Sequence, residues 1–254
     1  MNPLISIIIP SYNQGHFISE TIESILSQSY QNFEILVIDG GSNDGTIEIL
    51  KKFGDKIFWL SEKDKGQTHA INKGLRLAKG EIITYINSDD YFLENVFQII
   101  VNCYNHKQKL FWITGDYIII NENGKYIQNF VRLYKKIFRN FISFNLLTIL
   151  NPIIQPSTFI SKNLFEKVGF FNESLDYTMD YDYWLRCFKI CTPIVLTNKL
   201  SAFRIHKYSK GGSRYKYQFD EELEVAKIYQ DNNLFIIIHL IHNQLIKIAY
   251  WFIK

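Results

Sequence analysis

The chain has 254 residues, of which 47% are hydrophobic, 16% aromatic and 21% charged, enough apolar material for one large α/β domain or one domain with a small appendage. A net charge of +3 is too weak to make nucleic acid the main partner. Three cysteines, Cys103, Cys187 and Cys191, form a sparse, odd set that argues against a disulfide scaffold and for a reducing compartment. Cys187 and Cys191 fall at i, i+4 on an expected helix. No further Cys or His stands at ligand spacing beside them, so they read as buried thiols rather than a metal site.

Residues 4–9 are a β-rich apolar run ended by Pro10, too short and without the basic flank for a signal-peptide core. Ile18, Ile22, Ile25 and Leu26 follow at helical spacing. Residues 33–38 predict a second strand and 46–53 a short helix with Ile47, Leu50 and Phe53 on one side. A third strand is expected at 56–60, then a helix through Ala70, Ile71, Gly74, Leu75 and Ala78 that stops at Gly80. Residues 81–86 predict a fourth strand and 93–104 a further helix. Beyond them the pattern is less regular. A hairpin is expected from 111–120 and 126–130, a strand at 156–160, a helix over 183–190 and a last strand at 195–203.

Strand, crossover and strand at this spacing build a parallel sheet with helices on both faces, and ligands then lie beyond the carboxyl ends of the strands. Those ends carry Ser11-Tyr12-Asn13-Gln14, Asp39-Gly40-Gly41-Ser42-Asn43-Asp44, Ser61-Glu62-Lys63-Asp64 and Asn87-Ser88-Asp89-Asp90. Four consecutive strands deliver acidic or amide groups to one edge, which marks it as the active site.

Asp39 closes an apolar strand and precedes two glycines that permit close ligand approach. A carboxylate only accepts hydrogen bonds, so it suits a base edge with N–H donors such as the uracil imide. The alternative is a turn residue, with Asp44 or Thr46 capping the next helix. The loop matches neither dinucleotide nor P-loop glycine patterns. The adjacent carboxylates of Asp89 and Asp90 repel unless a cation compensates, and a divalent ion bridging a diphosphate would do so. A helix N-cap is the competing reading there and again at Asp180-Tyr181-Asp182. His206 by itself reads as a satisfied histidine.

Taken in order, Pro10-Ser11-Tyr12-Asn13, the run from Asp39 to Thr46, Asp64-Lys65-Gly66-Gln67, Asn87-Ser88-Asp89-Asp90, Met179-Asp180-Tyr181-Asp182-Tyr183-Trp184 and Arg204-Ile205-His206 resemble the family 2 inverting glycosyltransferases. The resemblance spans about residues 4–210. It implies a GT-A fold, a Rossmann-like, mostly parallel sheet flanked by helices. It further implies that Ser11 and Tyr12 pack around the nucleoside, Asp39 reads the base, Asp89 touches the ribose, and Asp90 holds a divalent metal with His206 as a late contact. Asp180 takes the place of the catalytic base. Asn87 stands where stricter members have an Asp, leaving the roles of Asp89 and Asp90 interchangeable. Met179 replaces a common Glu, leaving Asp182 as a rival base.

The implied reaction is a metal-assisted single displacement from a nucleoside diphosphate sugar, UDP most of all, to a hydroxyl of a glycan or lipid-linked acceptor, with manganese or magnesium as the ion. A catalytically inactive nucleotide-sugar or glycan binder and a sugar-phosphate nucleotidyltransferase are the alternatives. The catalytic domain is expected over 1–215, with a nucleotide-binding half at 1–105 and an acceptor-binding half at 106–215, followed by a helical segment at 216–254. Residues 130–150, with Arg132, Lys135, Lys136 and Arg139 among apolar side chains, and residues 234–254 read as amphipathic helices. Such helices lie in a membrane interface or cover the core. A cytoplasmic location, at the inner face of the membrane if they bind lipid, follows as an expectation.

Overall fold

The computed structural model describes residues 2–104, 110–127, 129–207 and 215–253. Eight strands form one sheet, β1 (Ile5–Ser11), β2 (Phe33–Asp39), β3 (Phe58–Ser61), β4 (Ile82–Tyr85), β5 (Tyr91–Phe92), β6 (Trp112–Asn121), β7 (Thr158–Ser161) and β8 (Ile194–Ile205). Their order is β3-β2-β1-β4-β7-β6-β8-β5. The strands from β3 to β4 pair in parallel, as does β6 with β8, whereas β7 runs antiparallel to β4 and β6, and β5 to β8. The helices are α1 (Ile18–Leu26), α2 (Thr46–Lys52), α3 (Gln67–Leu77), α4 (Val96–Cys103), α5 (Asn129–Asn140), α6 (Phe144–Ile149), α7 (Lys162–Val168), α8 (Met179–Phe188), α9 (Tyr215–Tyr229) and α10 (Asn233–Ile253).

Alternation along β1 sorts the core into two layers. Ile5, Ile7 and Ile9 face a cluster with Ile18, Ile22 and Ile25 of α1 and Phe97 and Ile100 of α4. Ile8 faces the other side, where Ala70, Ile71 and Leu75 of α3 join Tyr183, Trp184 and Leu185 of α8. Val225 and Ala226 of α9 are buried in that same layer. On α10, His239 Nδ1 meets the Thr148 carbonyl at 2.8 Å and Asn243 donates to the Phe219 carbonyl at 3.3 Å.

The strand–helix alternation of the first half follows the hydrophobic pattern, and the differences have local causes. The third strand begins at Phe58 because Gly54–Lys56 form a 3₁₀ turn, and β7 begins at Thr158 because Gln155–Ser157, with Pro156, form another. Residues 91–92 pair with β8, and the Leu93 amide donates to the Leu200 carbonyl at 3.0 Å. The helix expected from 93 therefore starts at Val96, after Asn95 in a left-handed conformation. The expected hairpin shrinks to one bridge, Ile120 with Tyr126. Gln128, within its second arm, lies outside the described residues, and from Asn129 the chain is helical.

The basic side of α5 covers the sheet, one of the two placements its pattern allowed. Arg132 and Arg139 point inward onto the buried carboxylate of Asp116 on β6, Arg139 at 3.2 Å. Phe130, Leu133, Ile137 and Phe141 are the exposed side.

Candidate active site

Strand register puts Ser11, Asp39 and Ser61 side by side at the carboxyl edge. Asp39 is fully buried, and its carboxylate closes its own loop. Its Oδ2 accepts from the Gly41 amide (3.0 Å), the Ser42 amide (2.9 Å) and the Ser61 hydroxyl (2.7 Å), and its Oδ1 from the Ser42 hydroxyl. One lone pair of Oδ1 remains. Gly40 lets the Asp64 carboxylate approach, since a Cβ there would lie 2.8 Å from its Oδ2 and the side chain would have to shift. Among the described residues the buried Ser11 hydroxyl has no hydrogen-bond partner, while Tyr12 is 60% exposed above it. Asn13 laces the two loops together, its amide donating to the Ser42 hydroxyl at 2.7 Å and its side-chain oxygen accepting from the Asn43 amide at 3.0 Å. Tyr12, Asn13, His16, Phe17, Glu122 and His206 line a cleft of about 580 Å³ over this edge.

The paired aspartates take different environments. Asp90 is 1% exposed, and its oxygens accept from the Arg204 amide at 2.8 Å and the Asn87 side chain at 3.3 Å. Burial, and then the charge of Asp89, push its carboxyl well above the usual range. Asp89 instead turns outward, with Oδ2 2.9 Å from Nε2 of His206. Arg204 fixes this corner. Its guanidinium donates to the carbonyls of Asp89 (2.8 Å), Asn121 (3.2 Å) and Glu122 (3.1 Å) and pairs with Glu20.

Asp89 Oδ2 and His206 Nε2 contact each other at 2.9 Å, and a carboxylate oxygen and an imidazole nitrogen this close could together hold a divalent ion, leaving positions for diphosphate oxygens and water. Among the described residues no group of three or more His, Cys, Asp or Glu side chains is placed to hold a metal by itself. Asp89 and His206 would therefore need oxygens from a phosphorylated ligand to complete the shell of an ion. Asp90, whose oxygens are engaged and buried, is the poorer donor of the two.

Asp180 and Asp182 stand in the first turn of α8. Asp180 is half-buried, and its Oδ1 accepts from the Tyr181 amide at 2.8 Å. Burial raises its carboxyl pKa, opposed by that amide and by Lys135 of α5. Asp182 is locked, with Oδ1 accepting from the Tyr229 hydroxyl at 2.6 Å and Oδ2 from Arg186 Nε at 2.9 Å. Tyr85 joins the two halves of the site. Its phenol is pushed far up by burial first and then by the charges of Asp180 and Asp90. Gln67, at the start of α3, donates to Asn87 at 2.6 Å, and the adjacent Thr68 hydroxyl reaches Met179 Sδ at 2.6 Å. The nucleotide edge and the Asp180 turn therefore share one wall.

Sequence reasoning did not single out Tyr85 or Lys135 as site residues, and it named Ser61 and Arg204 only as members of their motifs. Arg204 had a signal, two residues before His206 in an ordered motif. Lys135 had none, since the pattern of α5 alone does not say which face is buried.

A parallel half that carries the Ser11, Asp39 and Asn87–Asp90 loops, continued by a mixed half in which β7 and β5 run antiparallel to their neighbours, is the GT-A architecture. Within it the chain belongs to glycosyl transferase family 2, whose family model matches residues 6–169. An uncharacterized glycosyltransferase of Rickettsia typhi, RT0329, is 32% identical over 207 residues, covering 81% of this chain and 65% of that protein. The Escherichia coli protein WfgD, named UDP-Glc:alpha-D-GlcNAc-diphosphoundecaprenol beta-1,3-glucosyltransferase, is 37% identical over 142 residues, 54% of this chain and 56% of that protein. The mannosyltransferase PcManGT of Pyrobaculum calidifontis, solved with GDP-Man and Mn²⁺, superposes with a TM-score of 0.71 at 17% identity, over 96% of this chain and 69% of that one. The chain spans between 32% and 65% of the length of the rickettsial relatives it matches.

Proposed function

We propose that this chain transfers a sugar from a UDP-sugar to a hydroxyl of a glycan or lipid-linked acceptor, with inversion at the anomeric carbon. The observation that carries the reading is the division of labour among four aspartates. Asp89 faces His206, Asp90 is buried, Asp182 has both oxygens tied to Arg186 and Tyr229, and Asp180 accepts one backbone amide on Oδ1.

Asp89 and His206 would hold the divalent ion, exchanging the roles expected for Asp89 and Asp90. When bound, the ion supplies Lewis-acid stabilisation of charge on the departing diphosphate. Ser11 and Tyr12 flank the nucleoside, and Asp39 shapes the loop beneath the base. Asp180 accepts the proton of the acceptor hydroxyl as its oxygen bonds the anomeric carbon and the bond to the diphosphate breaks. One displacement inverts the centre and requires no enzyme nucleophile.

The donor and acceptor named for WfgD support a UDP-sugar and a diphospholipid-linked acceptor. The complex of PcManGT with GDP-Man and Mn²⁺ supports manganese but also leaves GDP-sugars as competitors. Among the described residues no helix is long and apolar enough to cross a membrane. Ile237, Ile241, Leu245 and Ile248 are nevertheless exposed along one face of α10. That face supports peripheral contact with a lipid surface.

A panel of nucleotide sugars with manganese, read by nucleotide release and by NMR of the product's anomeric proton, tests the reading. An α-linked UDP-sugar should give a β-linked product. Retained configuration defeats the mechanism, nucleotide binding without turnover favours an inactive binder, and formation of nucleoside triphosphate and sugar 1-phosphate from pyrophosphate and the nucleotide sugar favours a nucleotidyltransferase.

A further inference from the structure

The helix that carries Asp180 does not fix its own start. Thr178 occupies the N-cap position of α8 with no side-chain hydrogen bond into the helix, although a threonine there ordinarily accepts from an amide of the first turn. Its hydroxyl points away and donates to Oε2 of Glu221 at 2.8 Å. The same carboxylate takes three successive backbone amides, Asp176 at 3.0 Å on Oε1 and Tyr177 and Thr178 at 2.8 Å each on Oε2. Four donors thus converge on one side chain from α9, more than forty residues further along the chain. Two turns on, Tyr229 of the same helix binds Asp182, and between the two contacts Val225 and Ala226 are buried in the core. α9 therefore grips the first turn of α8 at two points on either side of Asp180.

We propose that Glu221 is a positioning residue that sets the place of the Asp180 carboxylate, so that the C-terminal helix completes the catalytic site. The inference rests on the reading of Asp180 as the base. Its physical basis is that charge-assisted bonds to backbone amides are short and strong. A base must stand within about 3 Å of the proton it takes, and displacement by about 1 Å costs up to ~10²-fold in rate. Glu221 contacts the 176–178 backbone and the Thr178 hydroxyl, so its effect passes through Asp180.

The test compares Glu221→Ala, Glu221→Gln and Asp180→Asn in the full chain. Turnover is read as UDP release from UDP-glucose and UDP-N-acetylglucosamine, and donor affinity by calorimetry with UDP and manganese. Glu221→Ala should lower kcat by about 10–100-fold with KM and UDP affinity unchanged. Glu221→Gln, whose amide oxygen still accepts from the backbone, should recover part of the loss. Two measurements need no substrate. Hydrogen exchange at the Tyr177 and Thr178 amides should accelerate in Glu221→Ala. The ¹³C titration of the Asp180 carboxyl should move to lower pH in Glu221→Gln, because a negative neighbour is removed while Lys135 of α5, Glu222 of α9 and Tyr85 of β4 stay in place. Wild-type kcat in Glu221→Ala beside a dead Asp180→Asn overturns the inference and leaves the proposed function standing. An active Asp180→Asn sinks the proposed function instead, and unchanged exchange with an unchanged Asp180 titration then overturns the positioning as well.

Discussion

Exchanging Asp180 and Asp182 separately for Asn should split catalysis from stability. The Asp180 carboxylate accepts one backbone amide at 2.8 Å, which an amide oxygen also accepts, so Asp180→Asn should melt close to wild type. Loss of a general base costs about 10²–10⁴-fold in kcat, or roughly 2.7–5.4 kcal/mol of transition-state stabilisation at about 1.36 kcal/mol per decade. Asp182 belongs to a buried pair with Arg186 at 2.9 Å, side chains 8% and 23% exposed. Removing one member of such a pair costs about 3–5 kcal/mol, and the oxygen that Asn retains reduces this to roughly 2–3 kcal/mol. At about 2–4 °C per kcal/mol for a chain of this size, Asp182→Asn should lower the Tm by ~4–12 °C. Turnover per folded molecule should stay within a few-fold of wild type. Calorimetric melts and UDP release below the melting range measure both quantities on the same samples. A stable but inactive Asp182→Asn beside an active Asp180→Asn would refute the assignment.

Excess chelator should abolish transfer and manganese should restore it, with Asp89→Asn weakening manganese binding in the presence of UDP far more than Asp90→Asn, as titration calorimetry reports. Full activity in chelator would remove the metal from the mechanism. Because burial raises the Asp180 carboxyl and a base works ionised, kcat should fall with decreasing pH above the ordinary Asp value of about 3.9. Lys135→Met, which removes a cation that lowers this pKa, should move the acidic limb higher still. Burial pushes Glu222 up to about 7 from 4.5, with Lys135 opposing. The folded state then holds that proton more tightly than the unfolded one, so stability declines as pH rises through this window. Glu222→Gln should remove that slope in denaturant melts. Ile241→Glu with Leu245→Glu should reduce co-sedimentation with anionic phospholipid vesicles without changing UDP binding. Equal co-sedimentation would rule out the α10 face as the lipid contact, and a truncation from 235 is the cruder tool because His239 and Asn243 are buried against the core.

The alternation of apolar runs determined the parallel half of the sheet by itself, because a strand buried on both faces must be apolar throughout and its crossover helix must show one apolar stripe. The same local rule put the polar loops at the strand ends, so Ser11, Asp39 and the Asn87–Asp90 turn were legible as one edge. Which aspartate does what was not legible, since adjacent residues share every local signal and differ only in what packs against them. Arg204, arriving from β8, buries Asp90 and frees Asp89 toward His206. Tyr229 and Arg186 engage both carboxylate oxygens of Asp182. On α5 the pattern showed two unlike faces without saying which was inside, and Asp116, buried on β6, drew the basic face inward. Each of these outcomes depends on a partner tens of residues away, and only the folded chain brings such partners within hydrogen-bonding distance.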